Sequence, residues 1–168
     1  AQTVGIIGLG HIGRRVANLC HAFEANVIAH DPHVSLTPTG VTSVSFDQLI
    51  ATADIISLHV PYGPELHHLL NAQTFENMRS GASVINAARG GLVDEEALAA
   101  ALNTGKLRAA ALDTFEQEPY QGPLLECGNI ILSSHVGSLA KEARQNMEIE
   151  AAENLLRGLI NAGLINDR

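Results

Sequence analysis

The chain has 168 residues, a formal net charge of −8 at neutral pH and a hydrophobic fraction of 46%. That length suits one ordinary domain, and the acidic balance speaks against nucleic acid or an anionic membrane surface as a partner, because phosphate binding needs clustered cations. Aromatic residues make up only 4%, with no Trp, so the core is expected to rest on Val, Ile, Leu and Ala.

Short β-rich runs alternate with helical patterns along the chain. "TVGIIG" (3–8) reads as a compact apolar strand. Ile12, Val16, Leu19 and Phe23 then recur at helical spacing and predict a helix with that face in the core. "NVIAHD" (26–31) predicts a second strand, "VTSV" (41–44) a weak third, and "FDQLIATA" a short helix. "DIISLHV" (54–60) and "ASVINAA" (82–88) predict further strands. "DEEALAAALNTG" (94–105) predicts a helix with Asp94 as N-cap and Gly105 as its stop. "LRAAALDTF" (107–115) and "NIILSSH" (129–135) complete the strands. From Ser138, an N-cap candidate, to about Leu159 the pattern is helical, and Met147, Ile149, Leu155 and Leu156 are expected in the core. Nearly continuous apolar strands alternating with helices predict an α/β fold: a Rossmann-type, doubly wound parallel sheet in three α/β/α layers, forming a single domain over 1–168. No stretch reads as a membrane span or a signal peptide, and Cys20 and Cys127 form no metal pattern, so the cytoplasm is the default expectation.

Gly8, Gly10 and Gly13 spell G-x-G-x-x-G between the first strand and the first helix. In that context Gly8 permits the tight turn, Gly10 lets backbone approach a pyrophosphate, and Gly13 lets the helix pack close to the strand. The helix N-terminus supplies N–H donors and a partial positive charge for the anion. Asp31 ends the second strand about twenty residues on, where an acid accepts hydrogen bonds from a ribose and repels a 2′-phosphate. NAD is therefore expected in preference to NADP.

Three further stretches end predicted strands: "NAARGGLVDEEAL" (86–98), "ALDTFEQEP" (111–119) and "SSHVGS" (133–138). Ligands of open α/β sheets bind along that edge, so Arg89, Glu118 and His135 are candidates to converge on one cleft. The three types suit carbonyl reduction by hydride. A histidine donates the proton to the oxygen that gains charge. A carboxylate on its other nitrogen fixes the tautomer. A guanidinium clamps a substrate carboxylate. Taken singly, Arg89 also suits a surface loop, Glu118 a solvated charge beside Glu116, and His135 a satisfied histidine at a strand end. Among the eight histidines, His67 and His68 are sequence neighbours, which point to different faces of a helix. No ligand spacing fits, and no metal site is expected.

"GLGHIGRRVA", "HDP", "NAARGGLVDEEAL", "ALDTFEQEP" and "HVGS", in this order over nearly the whole chain, resemble the NAD-binding domain of the D-isomer-specific 2-hydroxyacid dehydrogenases. The resemblance implies hydride transfer between NAD(H) and a small 2-hydroxy or 2-keto acid. Arg89 would bind substrate, Glu118 would support the histidine, and His135 would be the acid/base. It also implies that Asp113 lies near the nicotinamide and that Val60, Pro61, Ala87 and Ala88 line the cofactor cleft. Gly137 and Ser138 would sit beside the carboxamide. His11 and Ile12 fill the variable places of the glycine loop. Ser133-Ser134 stand where many relatives have Thr-Pro, and Ala140 where many have Thr. Glu118 speaks against the formate dehydrogenase branch, which carries glutamine there. Within the family, the chain looks nearest to members acting on D-3-phosphoglycerate.

Two other functions fit the same fold: an NAD(H)-sensing binding module or co-repressor, and a ligand-gating domain of a potassium transporter. The ARGG…FEQEP…H order separates the first reading from the last. In relatives the NAD domain is inserted into a substrate domain, so the early glycine loop and the brief tail "NAGLINDR" suggest an excised middle. Such a chain is expected to bind NAD with little turnover alone, and to belong to an enzyme that works as a homodimer.

Overall fold

Seven strands form one sheet, parallel throughout, in the order β3-β2-β1-β4-β5-β6-β7. In chain order the elements are β1 (Thr3–Ile7), α1 (His11–Ala22), β2 (Asn26–His30), β3 (Val41–Ser43), α2 (Phe46–Thr52), β4 (Ile55–Leu58), α3 (Ala72–Asn77), β5 (Ala82–Asn86), α4 (Glu95–Asn103), β6 (Leu107–Leu112), β7 (Ile130–Leu132) and α5 (Lys141–Asn161). The chain reverses its direction of travel across the sheet after β3, which opens a crevice at the carboxyl ends of β1 and β4.

The computed structural model describes residues 1–165, in two units: Ala1–Ser134, which holds the whole sheet, and a second that begins at His135. In the first unit one sheet face is buried along its length, and the other is buried over β1 and β2 but exposed at Ile85 and Ile131. Val4, Ile6, Val27 and Ala29 pack with Ala17 of α1 on one side, and Ile7, Ile28, Ile56 and Leu58 pack with Leu49, Phe75 and Leu98 of α2, α3 and α4 on the other. The second unit holds a turn closed by the Leu139 N–H on the Val136 carbonyl (3.0 Å), then α5.

Several expectations are corrected by this arrangement. In α1 the buried residues are Gly13 and Ala17, while Ile12, Leu19 and Phe23 are exposed and Val16 is half-buried. The helix lies so close to β1 that only small side chains fit beneath it; a Cβ on Gly13 would overlap the Gly8 carbonyl. Met147, Ile149, Leu155 and Leu156 are exposed as well. At about 100° per residue they scatter around α5 instead of forming one stripe. Ala140, not Ser138, is the N-cap of α5, because the turn at Val136–Leu139 delays the helix start. Asp94 caps α4 as expected, its Oδ1 accepting the Ala97 N–H at 3.0 Å. Strands β4, β6 and β7 stop short of their predicted ends, and the residues beyond Leu58, Leu112 and Leu132 pass into the loops of the carboxyl edge.

Thr114 follows β6 and is 2% exposed, and its hydroxyl has no hydrogen-bond partner among the described residues. A buried hydroxyl without a partner costs stability, so a valine of the same shape is expected to raise the unfolding free energy by about 1 kcal/mol. Denaturant melts of Thr114→Val against the parent chain measure the difference.

Candidate functional site

The three glycines of the loop differ in what the fold demands of them. Gly8 stands at φ 94, in the left-handed region, and its N–H donates to the His30 carbonyl at 2.9 Å. Gly13 is forced by the close crossing of α1 over the Gly8 turn. Gly10, the N-cap of α1, differs from both: an added Cβ there meets nothing within 4 Å. Its bareness answers no contact inside the protein, and it leaves the backbone approachable from the crevice. The first turn of α1 holds no acidic side chain of its own to occupy the positive helix end.

Gly8, Gly10, Asp31, His33, Val60 and Pro61 line one cavity of about 510 Å³. Asp31 is locked at its edge. Its Oδ2 accepts the Leu9 N–H (2.8 Å) and its Oδ1 the His33 N–H (2.9 Å). A carboxylate oxygen has a second lone pair, so both oxygens keep capacity for hydroxyl donors. The acid thus reads the glycine loop and offers itself to a ligand at once. His59 lies in the wall of the same cavity, its Nε2 2.9 Å from the Ser57 hydroxyl, and burial pushes its imidazole below the usual histidine range.

The loop after β5 is shaped by Asn86, which is fully buried. Its Oδ1 accepts the Ala88 N–H (3.0 Å) and its Nδ2 donates to the Arg89 carbonyl (2.9 Å). That clamp presents Arg89, whose Nη1 donates to the Ala88 carbonyl at 2.6 Å, on the wall of a second cavity of about 470 Å³ with Tyr62, His67, Gly91, Phe115 and Glu116. Gly90 brings this loop against the one after β6, since a Cβ at Gly90 would overlap the Phe115 backbone. Glu118 lies in that second loop, and its Oε1 accepts the Phe115 N–H at 3.2 Å. Asp113 accepts the Ser133 hydroxyl at 2.6 Å, which ties the ends of β6 and β7. Beside them, burial raises the Glu95 carboxyl above the usual range, against the opposing Glu116 N–H bond of 2.9 Å.

The first unit therefore gathers Gly8, Gly10, Asp31, Val60 and Pro61 at one cavity and places Arg89 at another, with Ala87 exposed and Ala88 half-buried between Asn86 and Arg89. His11 and Ile12 are exposed at the start of α1. His135, Gly137 and Ser138 belong to the second unit, where His135 stands at φ 56 and Ser138 lines a groove with Arg144, Met147 and Glu148. Asn86 and His59 were missed by sequence reasoning. Asn86 had a signal, a polar residue closing an otherwise apolar strand. His59 carries the same signal, a polar residue directly after the mostly apolar run Ile55–Leu58.

His67 and His68 also differ from expectation. They follow a short 3₁₀ turn rather than lying in a helix, and their rings stack with centroids 3.8 Å apart.

A glycine turn feeding a helix N-terminus, an acid closing β2 and a crevice at the reversal of strand order define a dinucleotide-binding α/β domain. The family model of the D-isomer specific 2-hydroxyacid dehydrogenase NAD binding domain matches residues 1–137, and the chain belongs to that family. It is 43% identical to D-3-phosphoglycerate dehydrogenase of Archaeoglobus fulgidus over 98% of its own length and 33% of that protein. It resembles a glyoxylate reductase structure from Paecilomyes thermophila with a TM-score of 0.90 and 36% identity, over 97% of this chain and 50% of that one. An acyclic imino acid reductase in complex with NADPH and D-Arg gives a TM-score of 0.88 and 31% identity, over 95% and 52%. The chain thus spans about a third of the curated relative and about half of each solved chain. None of its helices, among the described residues, is long and apolar enough to cross a membrane.

The depressed His59 value has a direct consequence for stability. The unfolded chain binds a proton there, near the ordinary value of 6.5, more readily than the folded one. Folding stability therefore falls as pH drops from above 6.5 toward the lower folded-state value. In His59→Asn that fall is expected to be shallower, which denaturant melts of both proteins at pH about 8 and about 5.5 measure.

Proposed function

We propose that this domain carries NAD(H) for a D-2-hydroxyacid dehydrogenase, in which a hydride passes between nicotinamide C4 and the carbonyl carbon of a 2-keto acid. The observation that supports it most is the Gly90–Phe115 approach, which sets the Arg89 loop against the segment that contains Glu118. In this reading Arg89 grips the substrate carboxylate and polarises the carbonyl. His135 gives the proton to the forming alkoxide, and Glu118 holds its imidazole in the required tautomer. Asp113, Val60, Pro61, Ala87, Ala88, Gly137 and Ser138 surround the cofactor, whose pyrophosphate rests on the N–H groups of Gly10 to Gly13.

Asp31 favours NAD over NADP: its locked carboxylate accepts from ribose hydroxyls and repels a 2′-phosphate. D-3-phosphoglycerate is the preferred substrate in this reading, supported by the 43% identity to the archaeal enzyme. Unpaired Cys20 and Cys127 fit a reducing cytoplasm, and exposed Ile12, Leu19 and Phe23 on α1 fit a homodimeric working form.

Turnover of NADH with a panel of 2-keto acids tests the assignment on the active enzyme. His135→Ala is expected to lower kcat by about 10²–10⁴-fold. Arg89→Ala should both raise KM and lower kcat, and Glu118→Gln should lower kcat while shifting the pH profile. Unchanged kinetics in these variants would remove the proposed roles. Asp31→Asn should reduce the preference for NADH over NADPH by about tenfold, or about 1.4 kcal/mol; an unaltered ratio would remove the role of its charge.

A further inference from the structure

We propose that His67, His68 and Glu116 form a binding site for one divalent transition-metal ion, with zinc the best match. One ligand atom from each residue lies within 4.8 Å of the other two. The Glu116 Oε1 stands 2.6 Å from His68 Nε2 and 3.8 Å from His67 Nδ1. Tetrahedral zinc with bonds near 2.0–2.1 Å needs ligand atoms about 3.3 Å apart. The two Glu116 separations lie within an ångström of that value, one having to open and the other to close. The His67 and His68 ligand atoms, within 4.8 Å of each other, converge on one ion when the stacked rings turn apart, a movement open to partly exposed side chains.

The backbone around the trio is already held. His68 adopts φ 51, and its N–H donates to the Gly91 carbonyl at 2.9 Å, so the left-handed turn is what lays its ring on that of His67. The Asn71 amide holds the His68 carbonyl (3.0 Å), and the Leu70–Val93 bridge fixes the segment beyond. Glu116 arrives from the loop after β6, its N–H fixed on Glu95 Oε1.

An outer shell is present too. Asp94 Oδ2 lies 3.8 Å from His68 Nδ1, so it faces the nitrogen that a metal on Nε2 would leave protonated. The Tyr62 hydroxyl lies 3.3 Å from His67 Nδ1 and would yield that nitrogen to the metal. Two imidazoles and one carboxylate suit zinc, cobalt or nickel better than the hard, oxygen-seeking calcium and magnesium. Tyr62, His67 and Glu116 also line the Arg89 cavity, so an ion held here would add positive charge to the wall that faces anionic ligands.

Titration of the tag-free 168-residue chain with ZnCl2, followed by calorimetry and by competition with a chromogenic chelator, tests the site. One saturable equivalent is expected, together with a rise in melting temperature. CoCl2 should give visible ligand-field bands. Binding should weaken at least tenfold in His68→Ala and in Glu116→Gln, whereas His21→Ala, in the last turn of α1, should bind as the parent does. Absence of a saturable equivalent, or binding unmoved by His68→Ala and Glu116→Gln, would overturn the proposal.

Discussion

Helix α1 starts so close to the turn it follows that the Gly8 carbonyl occupies the space of a Gly13 side chain. Much of the first unit answers to that contact. It sets the helix low over β1, which leaves room only for Gly13 and Ala17 beneath and turns Ile12, Leu19 and Phe23 outward. It also aims the first N–H groups of α1 at the crevice where the strand order reverses. Asp31 locks the same turn from the other side by accepting the Leu9 N–H. In the proposed reading, one small network would hold both the pyrophosphate end and the ribose end of a dinucleotide.

A second network shapes the opposite side of the edge. Buried Asn86 replaces strand hydrogen bonds with side-chain bonds to Ala88 and Arg89, at the point where β5 must release its chain into a loop. Gly90 then admits the Phe115 backbone. Polar atoms buried at strand ends cost stability unless satisfied, and here their satisfaction orients the loop. Thr114 is the exception, a buried hydroxyl with no partner among the described residues.

Much of this was legible in the sequence, for physical reasons. Apolar runs such as "TVGII" and "NVIAH" match strands buried on two faces, and Asp94 at the head of "EEALAAALN" marks a cap. Two of the three glycines have steric causes inside the protein, the positive φ of Gly8 and the close helix crossing at Gly13, and both follow from the spacing. What failed was the periodicity of α1 and α5. A helix packed on small residues hides its buried face from a search for large ones, and in α5 helical spacing of apolar residues did not amount to one face. Strand ends were overrun because residues such as His59 and Asp113 look like strand until the ladder runs out. The pairing of His67 and His68 with Glu116 depends on a left-handed turn and on a partner from a distant loop, which no local spacing encodes.

Gly10 gives the most direct test of the central claim, that the crevice above α1 receives a dinucleotide. An added methyl there meets nothing in the protein within 4 Å, and its backbone has an ordinary φ of −68, so the fold should tolerate it. Titration of NADH into Gly10→Ala and the parent chain, alongside their circular dichroism, isolates the ligand's own demand for bare backbone. An unchanged spectrum with NADH binding at least tenfold weaker is the predicted result. Equal NADH affinity in the two proteins would contradict the account.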